Sequence, residues 1–271
     1  MTNQAETDTP FILSEMSGSV CWLTLNRPRQ RNPLSSGMIA AIHRGINTAC
    51  DDPHVRVIVL AGSGPVFSAG HDLGEMSGPA PEGCASREAH LKEILDGCRD
   101  MMLAIMHCPK AVIACVQGTA TAAGCQLVSA CDLAIANEDV HFCTPGVNIG
   151  NFCTTPLVGI GRNIHRKHAM ELALTGDMFP ASDAVRMGLI NRTAAAGELH
   201  AEVEQLAQKI ASKSAQGIRS GKQAFYRQID MPVEDAFNYA TQEMIGSLTC
   251  PDSEEGIRAF FEKREPRWGD A

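Results

Sequence analysis

A run of small residues between two apolar segments is the clearest candidate for chemistry. Residues 118–124 read Gly-Thr-Ala-Thr-Ala-Ala-Gly, after an apolar run at 111–116 and before Leu127 and Val128, which have helical spacing. Small side chains at a strand-to-helix turn let another group approach the backbone closely. A helix N-terminus adds unpaired N–H groups and the positive end of the helix dipole. The pattern indicates a site for an anion, or for an oxygen that becomes anionic during a reaction, although a close helix–strand crossing without a ligand would have the same sequence.

A second segment carries a glycine-containing turn after a buried strand. The apolar run at 55–60 predicts the strand, Gly62–Pro65 predicts a turn, and residues 68–73 then read Ser-Ala-Gly-His-Asp-Leu. Two further motifs are Asn-Arg-Pro-Arg-Gln-Arg-Asn at 26–32 and Ala-Phe-Phe-Glu-Lys-Arg at 259–264. In this order the four motifs resemble those of the crotonase family, the enoyl-CoA hydratases and isomerases, and the resemblance covers nearly all of the chain.

The resemblance implies an α/β fold. In that family a spiral of repeated β-β-α turns is followed by helices that pack between the subunits of a trimer or of a dimer of trimers. The residues agree with a change of architecture near position 195, because only helical periodicity follows it. We therefore expect a crotonase-like core at 1–195 and a C-terminal helical region for oligomerisation at 196–271. No literal sequence repeat accompanies the implied spiral.

The resemblance also implies a ligand, an acyl-CoA thioester whose carbonyl oxygen is held by two backbone N–H groups. These would be the amides of His71 and Ala123, which would stabilise the charge of an enolate or tetrahedral transition state. Coenzyme A is part of the substrate, so no cofactor is implied, and the Cys and His spacing offers no zinc site. The other residues implied to bind substrate are Arg29 at the phosphates and Ala69, Gly70, Asp72, Leu73, Gly124, Pro145, Phe260 and Lys263.

The chain departs from the family pattern at the two positions where a hydratase carries glutamates. Hydration of an enoyl thioester needs one carboxylate to activate water and another to deliver the proton. Gln126 and Gly146 occupy these positions here, and neither an amide nor a glycine takes up a proton at neutral pH. No Asp or Glu lies between Asp139 and Glu171 to replace them. The side chains considered as substitutes are those of His71, His141, Cys125, Cys143, Cys153 and Asn148.

Three functions remain open on these residues. The chain could be an acyl-CoA lyase or isomerase with an unconventional acid and base. It could be an acyl-CoA decarboxylase, because loss of CO2 needs stabilisation of an enolate but no base. Its Ala-Gly-His-Asp motif resembles that branch of the family, whose catalytic tyrosine has no counterpart here; Phe152 or Cys153 lies nearest. The third function is non-catalytic binding of acyl-CoA.

Regular elements must position these segments. A β-hairpin is predicted at Phe11–Leu25, an amphipathic helix at Leu34–Cys50 and a long helix at Arg87–Cys108. Between the two helices, Gly74–Ser86 is rich in glycine and proline, which predicts a flexible loop at the mouth of the site. A last strand is predicted at Leu189–Arg192, before four helices.

Composition argues against several classes of function. With 271 residues, 44% hydrophobic and 20% charged, the chain is typical of globular proteins that bury a large core. A net charge of −8 disfavours nucleic acid and anionic membranes, and no apolar run reaches the ~18 residues that a membrane helix needs. Eleven cysteines without a CxxC pair predict buried, reduced thiols. With no leader pattern in Met1–Pro10, these features predict a cytoplasmic protein.

Overall fold

The computed structural model describes residues 9–269. Residues 1–8, most of the segment considered above for a targeting leader, lie outside the described part of the chain, as do residues 270–271. The strands are β1 (Ile12–Ser17), β2 (Val20–Leu25), β3 (Val57–Gly62), β4 (Val66–Ser68), β5 (Ala111–Val116), β6 (Thr119–Thr121), β7 (Leu133–Asn137), β8 (His141–Cys143), β9 (Phe179–Pro180) and β10 (Arg192–Ala194).

Helices follow or separate most of these strands. They are α1 (Ser36–Asp51), α2 (Leu73–Ser77), α3 (Arg87–His107), α4 (Ala123–Ala130), α5 (Pro156–Asn163), α6 (Arg166–Thr175), α7 (Ala181–Met187), α8 (Leu199–Ala211), α9 (Ala215–Gln228), α10 (Val233–Leu248) and α11 (Pro251–Glu262). Short 3-10 helices span Pro28–Gln30 and Pro145–Ile149. Within residues 9–269, none of the helices combines the length and apolar character needed to cross a bilayer.

The larger sheet has six strands in the order β1-β2-β3-β5-β7-β10. β1 and β2 form an antiparallel hairpin that turns at Gly18, where φ is 58°, and the remaining pairs are parallel. Parallel strands are covered on both faces and are apolar along their length. β3 and β5 show this pattern, and every residue of β5 is buried. The hairpin and the central strands predicted from the sequence are confirmed.

Helices cover both faces of this sheet. On one face, α1 and α3 bury residues such as Ile42 and Met101 in the larger core. On the other face, α8 buries Leu199, Val203 and Ala207, spaced four residues apart, against side chains of β3 and β5. That spacing places the three side chains on one stripe of the helix. α8 falls within the predicted C-terminal helical region, yet its apolar face completes the core.

The smaller sheet positions the two motifs that were singled out. Its order is β4-β6-β8-β9, with β4, β6 and β8 parallel. Val66 of β4 pairs with Thr119 of β6, and Ala120 pairs with Phe142 of β8. The chain leaves β4 into residues 68–73 and leaves β6 into α4, so both motifs begin at the ends of neighbouring strands.

The last three helices present apolar side chains to solvent. α9 and α10 contain no buried residue, and α11 buries only Asp252 and Ala259. α9 packs against α3 and α10. The large apolar side chains that are at least half exposed on these helices include Phe225, Phe237, Met244, Ile245, Phe260 and Phe261.

Two predicted elements differ in the structure. The strand predicted at Leu189–Arg192 is wrong for its first residues, because Gly188 caps the C-terminus of α7 with φ 90° and the N–H of Leu189 still donates to the carbonyl of Ala184 at 2.9 Å. The strand begins only at Arg192. The predicted loop at Gly74–Ser86 is wrong at its start, since Asp72 caps α2 by accepting from the N–H of Glu75 at 3.1 Å.

The cysteines also differ from expectation at one pair. Cys50 and Cys108 form a disulfide with a Cα–Cα distance of 6.2 Å, within the usual range. The other nine cysteines are free, and all but Cys84 are buried. The prediction of reduced thiols is therefore wrong for this pair. Its partners are 58 residues apart, and only the packing of α1 against α3 brings them together.

Candidate functional site

Two loops meet at the edge of the smaller sheet. Gly70 has φ 85°, a left-handed conformation that glycine adopts without strain. A Cβ at this position would lie 2.9 Å from the carbonyl oxygen of Thr121 and 3.2 Å from the amide nitrogen of Ala123. Gly70 therefore permits close contact between the loop after β4 and the start of α4.

The backbone of His71 is fixed from the opposite side by Leu34. The N–H of Leu34 donates to the carbonyl of Gly70 at 2.7 Å, and the N–H of Asp72 donates to the carbonyl of Leu34 at 3.4 Å, which together form a parallel bridge. In this pattern the N–H of the central residue points away from the partner strand. The amide of His71 thus faces away from Leu34, and it has no acceptor within residues 9–269.

α4 begins at Ala123 without a side-chain cap. The preceding residue, Ala122, has φ 49° and ψ −117°, a conformation that costs energy for any residue with a Cβ. Its N–H donates to the carbonyl of Cys143 at 2.9 Å, which holds it in place. A Cβ on Gly124 would lie 2.4 Å from the carbonyl oxygen of Ser68, so α4 approaches β4 closely. In the described part of the chain the amide of Ala123 has no acceptor either.

The arrangement is suited to a negatively charged oxygen. Two backbone N–H groups without acceptors lie on loops in contact, and the positive end of α4 is at the same place. Donors fixed in this way stabilise charge that develops on a carbonyl oxygen during a reaction. The structure thus brings the loop that contains His71 into contact with the start of α4 at Ala123, although the two residues lie 52 positions apart in the chain.

Three polar side chains that sequence reasoning missed hold these loops. Asn32 is fully buried; it accepts from the N–H of Arg27 at 2.8 Å and donates to two carbonyl oxygens around the start of β4 at 2.9 and 2.8 Å. The Ser68 hydroxyl donates to the carbonyl of Asn32, and the Thr121 hydroxyl donates to the carbonyl of Ala69, both at 2.8 Å. Asn32 ends the arginine-rich motif, and Ser68 and Thr121 belong to the motifs at 68–73 and 118–124, but nothing in the sequence marked these three side chains as supports of the loops.

The arginine-rich loop at 26–32 lies beside the two loops of the site and carries exposed arginines. Arg27 is used structurally, since it donates to carbonyl oxygens of the N-terminal segment and lies 4.1 Å from the centre of the Phe11 ring. Arg29 and Arg31 are exposed, and neither has an ion-pair partner in the described residues. The N–H of Ala69 donates to the carbonyl of Arg31 at 3.0 Å, which couples the loop to the site. An exposed guanidinium is suited to binding phosphate.

An apolar cavity of about 510 Å³ opens beside Gln126. Its walls are α3, α4 and α5, and its lining includes Cys98, Met102, Met106 and Ser129. Gln126 is 7% exposed, and its Oε1 is buried without a hydrogen-bond partner. Gln126 follows the free amide of Ala123 by three residues, so it lies one helical turn from that amide and also lines the cavity.

Gly146, the other position where an acid was sought, is buried. A Cβ there would lie 3.0 Å from Sγ of Cys153 and 3.1 Å from its amide nitrogen. These contacts are tighter than ordinary packing, so a larger side chain would have to displace the segment around Cys153. The preceding Pro145 starts the 3-10 helix and is half-buried.

The histidines and the asparagine considered as substitute groups differ in their surroundings. Burial lowers the pKa of His71, and its Nε2 is buried without a partner, so this imidazole is neutral at pH 7. His141 is exposed on β8. Asn148 donates to the carbonyl of Gly176 at 3.5 Å. None of these three side chains has the geometry of a paired acid and base.

The candidate thiols are protonated at neutral pH. Burial raises the pKa of Cys143 to about 11, and it also raises the pKa of Cys125 and of Cys153. A buried thiol without a cation nearby is a weak nucleophile. Across residues 9–269, no three His, Cys, Asp or Glu side chains form a group that could hold a metal ion.

The remaining predicted residues lie in two places. Leu73 follows the capping residue Asp72 at the start of α2, next to His71, and is 58% exposed. Phe260, 77% exposed, and Lys263 lie at the end of α11, whose main contacts within one chain are with α9 and α10. Their role at a ligand stays a prediction that depends on a second subunit.

Comparison with known proteins assigns the chain to a family. The family model for enoyl-CoA hydratase/isomerase matches residues 15–271. The chain belongs to the enoyl-CoA hydratase/isomerase family. Within the family, it is 41% identical over 246 residues to enoyl-CoA hydratase domain-containing protein 3, mitochondrial, of Rattus norvegicus; the match covers 91% of this chain and 80% of the rat protein.

Solved structures of family members share the fold. An enoyl-CoA hydratase from Mycobacterium smegmatis superposes with a TM-score of 0.90 at 43% identity, covering 96% of this chain and 99% of that one. Human enoyl-CoA hydratase domain-containing protein 3 gives a TM-score of 0.89 at 38% identity, covering 95% and 100%. The predicted crotonase-type α/β fold with a C-terminal helical region is confirmed.

The prediction of a cytoplasmic protein is wrong on this comparison. The relatives of about two-fifths identity from rat, zebrafish and man are named as mitochondrial proteins. The prediction rested on free thiols, negative charge and the residues at 1–10. Free thiols indicate a reducing compartment, and a net negative charge favours solubility. Neither property distinguishes the cytoplasm from another reducing compartment.

Proposed function

We propose that this family member binds acyl-CoA thioesters, with the thioester carbonyl oxygen on the amides of His71 and Ala123 and the phosphates at Arg29. The observation that carries the proposal is that the two loops are in contact at Gly70 and that both amides lack an acceptor within residues 9–269. Coenzyme A enters as part of the substrate, so the proposal needs no resident cofactor or metal. The activity would belong to fatty-acid or other acyl-CoA metabolism.

Hydration of enoyl-CoA is proposed to be slow or absent. Gln126 and Gly146 supply no carboxylate, the pKa of His71 is lowered by burial, and the pKa values of the nearby thiols are raised. Each acid–base role contributes roughly 10²–10⁴-fold to a rate, so losing both leaves only the stabilisation supplied by the amides. A reaction that needs only that stabilisation, such as decarboxylation of a malonyl-type thioester, remains compatible with the site.

The test combines binding and turnover on the purified protein. Calorimetry should show binding of butyryl-CoA, and loss of enoyl absorbance with crotonyl-CoA should be very slow. CO2 release from a malonyl-type thioester, measured beside it, separates a decarboxylase from a binding protein. Ala123→Pro removes one donor amide and is expected to weaken acyl-CoA binding, whereas Ala195→Pro, in the loop before α8, is the matched backbone control.

Each outcome has a definite meaning. Fast hydration would show that an acid and a base have been missed, with His71 and His141 the first to be substituted. CO2 release without hydration would identify a decarboxylase. Binding without either reaction would identify an acyl-CoA-binding protein, and the absence of binding to any acyl-CoA would refute the proposal.

A further inference from the structure

Gln126 is a buried polar residue in the lining of a cavity that is mostly apolar. Its side chain has no hydrogen bond to any described residue, although it is 93% buried, the complement of its 7% exposure. The neighbouring polar group, the Ser129 hydroxyl, already donates to the backbone carbonyl of Gln126 at 2.7 Å. A buried amide without partners destabilises the folded state unless a ligand or water supplies them.

The charged side chains around the cavity lie at its mouth. Arg99 pairs with Asp96 at 2.7 Å and with Asp100 at 2.8 Å, and these three side chains are between 35% and 56% exposed. Arg162 is exposed and donates to the carbonyl of Val158 at 2.9 Å. The buried part of the lining includes Gln126, Cys98 and Met102, which are 7%, 2% and 5% exposed. An ionised group beside these residues would therefore be desolvated without a counter-charge.

Position along α4 relates Gln126 to the ligand of the proposed function. Residues three apart on a helix are about 5–6 Å from each other, so Gln126 lies one turn from the amide of Ala123. A thioester carbonyl held at that amide has its C3 atom two bonds beyond the carbonyl carbon. A substituent on C3 would thus meet the Gln126 amide, and the rest of the chain would enter the cavity between Met102 and Met106.

We propose that Gln126 is a specificity-determining residue which selects acyl thioesters carrying a neutral oxygen substituent on C3, a 3-hydroxyacyl or 3-oxoacyl group. A carboxamide offers a donor and an acceptor from one position, which is the complement of a hydroxyl group. It cannot transfer the proton that a carboxylate would, so the contact serves recognition. The flexible thioethers of Met102 and Met106 allow acyl chains of different shape beyond C3. This inference rests on the proposed acyl-CoA binding.

The test compares ligands of matched shape on the wild-type protein. Calorimetry is run with 3-hydroxybutyryl-CoA, 3-methylbutyryl-CoA and butyryl-CoA, which carry a hydroxyl, a methyl or no substituent on C3. We expect the hydroxyl ligand to bind about 10-fold more tightly than the methyl ligand, because only the hydroxyl can form a hydrogen bond with the buried amide of Gln126. Equal binding of all three would overturn the inference and leave the proposed function standing. No binding of any would overturn both.

Variants then locate the selectivity. Gln126→Met, similar in length and without polar atoms able to replace the amide, should reduce the hydroxyl-to-methyl preference to about 1 and should raise the Tm of the ligand-free protein. Gln117→Met is the matched control, because Gln117 also has a buried Oε1 without a partner but lies outside this cavity. It should keep the wild-type preference. A preference retained in Gln126→Met, or lost equally in Gln117→Met, would contradict the assignment. If a variant does not fold, the comparison of the three ligands on the wild-type protein still tests the inference.

Discussion

Arg27 and Arg29 lie two positions apart in one loop and have opposite surroundings. Arg27 is held by backbone carbonyls and Phe11, whereas Arg29 is exposed without an ion-pair partner among the described residues. Arg29→Ala should therefore weaken binding of butyryl-CoA by about 1–3 kcal/mol, as for loss of a charge-assisted hydrogen bond. Binding of butyryl-pantetheine, which has no phosphates, should be unchanged.

The matched control for that prediction is Arg186→Ala. Arg186 lies on α7 and pairs with Asp183 at 3.1 Å on the surface, an interaction worth little to stability. Calorimetry with both ligands should show no effect of this change. An equal loss of affinity for both ligands in Arg29→Ala would point to a disturbed loop and would count against phosphate recognition.

The side chain of His71, unlike its backbone N–H, should make the stability of the folded protein depend on pH. Burial lowers its pKa in the folded protein below the ordinary value of about 6.5 in the unfolded chain. Between these two values the unfolded chain binds more protons, so stability should fall as the pH drops below about 6.5 and level off below the folded pKa. Urea unfolding at pH 7 and pH 5 should show a smaller loss for His71→Asn than for the wild type.

Variants at two histidines distinguish the role of the His71 side chain from that of its backbone amide. Because only the N–H of residue 71 is assigned to the ligand, His71→Asn should keep acyl-CoA binding at pH 7. His141→Asn, at the exposed histidine of β8, should leave the pH dependence as in the wild type. An identical loss of stability between pH 7 and pH 5 in all three proteins would exclude His71 as the source.

At the scale of elements, one polar cluster joins α9 to the core. Nζ of Lys222 lies 2.7 Å from Oδ2 of Asp132, at the start of β7, and donates to the carbonyls of Ile105 and Lys110. The Tyr226 hydroxyl donates to Oδ1 of the same aspartate at 3.0 Å. The Lys222 side chain is 8% exposed, so this ion pair differs from the surface pairs elsewhere in the chain.

Lys222→Met should destabilise the protein by about 2–4 kcal/mol, because Asp132 would lose its counter-charge in a mostly buried position. The control is Lys92→Met, which removes an (i, i+4) pair with Asp96 whose lysine is 74% exposed, and should cost much less stability than Lys222→Met. Denaturant unfolding measures both. Similar losses in the two variants would mean that the cluster at Asp132 does not anchor α9.

For the whole molecule, the exposed apolar side chains of α9, α10 and α11 argue for assembly. Phe237, Phe260 and Phe261 are 71%, 77% and 77% exposed in the single chain. Clusters of this kind are rarely left in water by soluble monomers and mark interaction surfaces. We expect a homotrimer or a dimer of trimers, in which Phe260 and Lys263 reach the ligand of a neighbouring subunit.

Light scattering at micromolar concentration measures this directly. The expected mass is three or six times that of the chain, and Phe260→Glu with Phe261→Glu should shift the protein towards monomer. Leu174→Glu is the control, because Leu174 is also exposed, at 61%, but lies on α6. This change should not shift the protein towards monomer. A monomer in the wild type would contradict the predicted assembly.

Several features of the fold and of the candidate site were predictable from local patterns in the sequence. The apolar runs predicted the hairpin and the central strands, because a covered parallel strand is apolar along its whole length. The small residues at 118–124 indicated a close approach of the backbone, which Gly124 and Ser68 show. The absence of carboxylates at positions 126 and 146 is a property of the sequence itself, and no fold could supply them.

Other features were decided only by tertiary structure. Whether the amides of His71 and Ala123 are free depends on Leu34 and on the left-handed Gly70, both distant in sequence from Ala123. The disulfide of Cys50 and Cys108 and the neutral state of His71 depend on which groups surround them, which periodicity does not encode. Local propensity selects helix or strand from neighbouring residues, but contact between distant segments is set by packing of the whole core, and burial then sets hydrogen bonding and protonation.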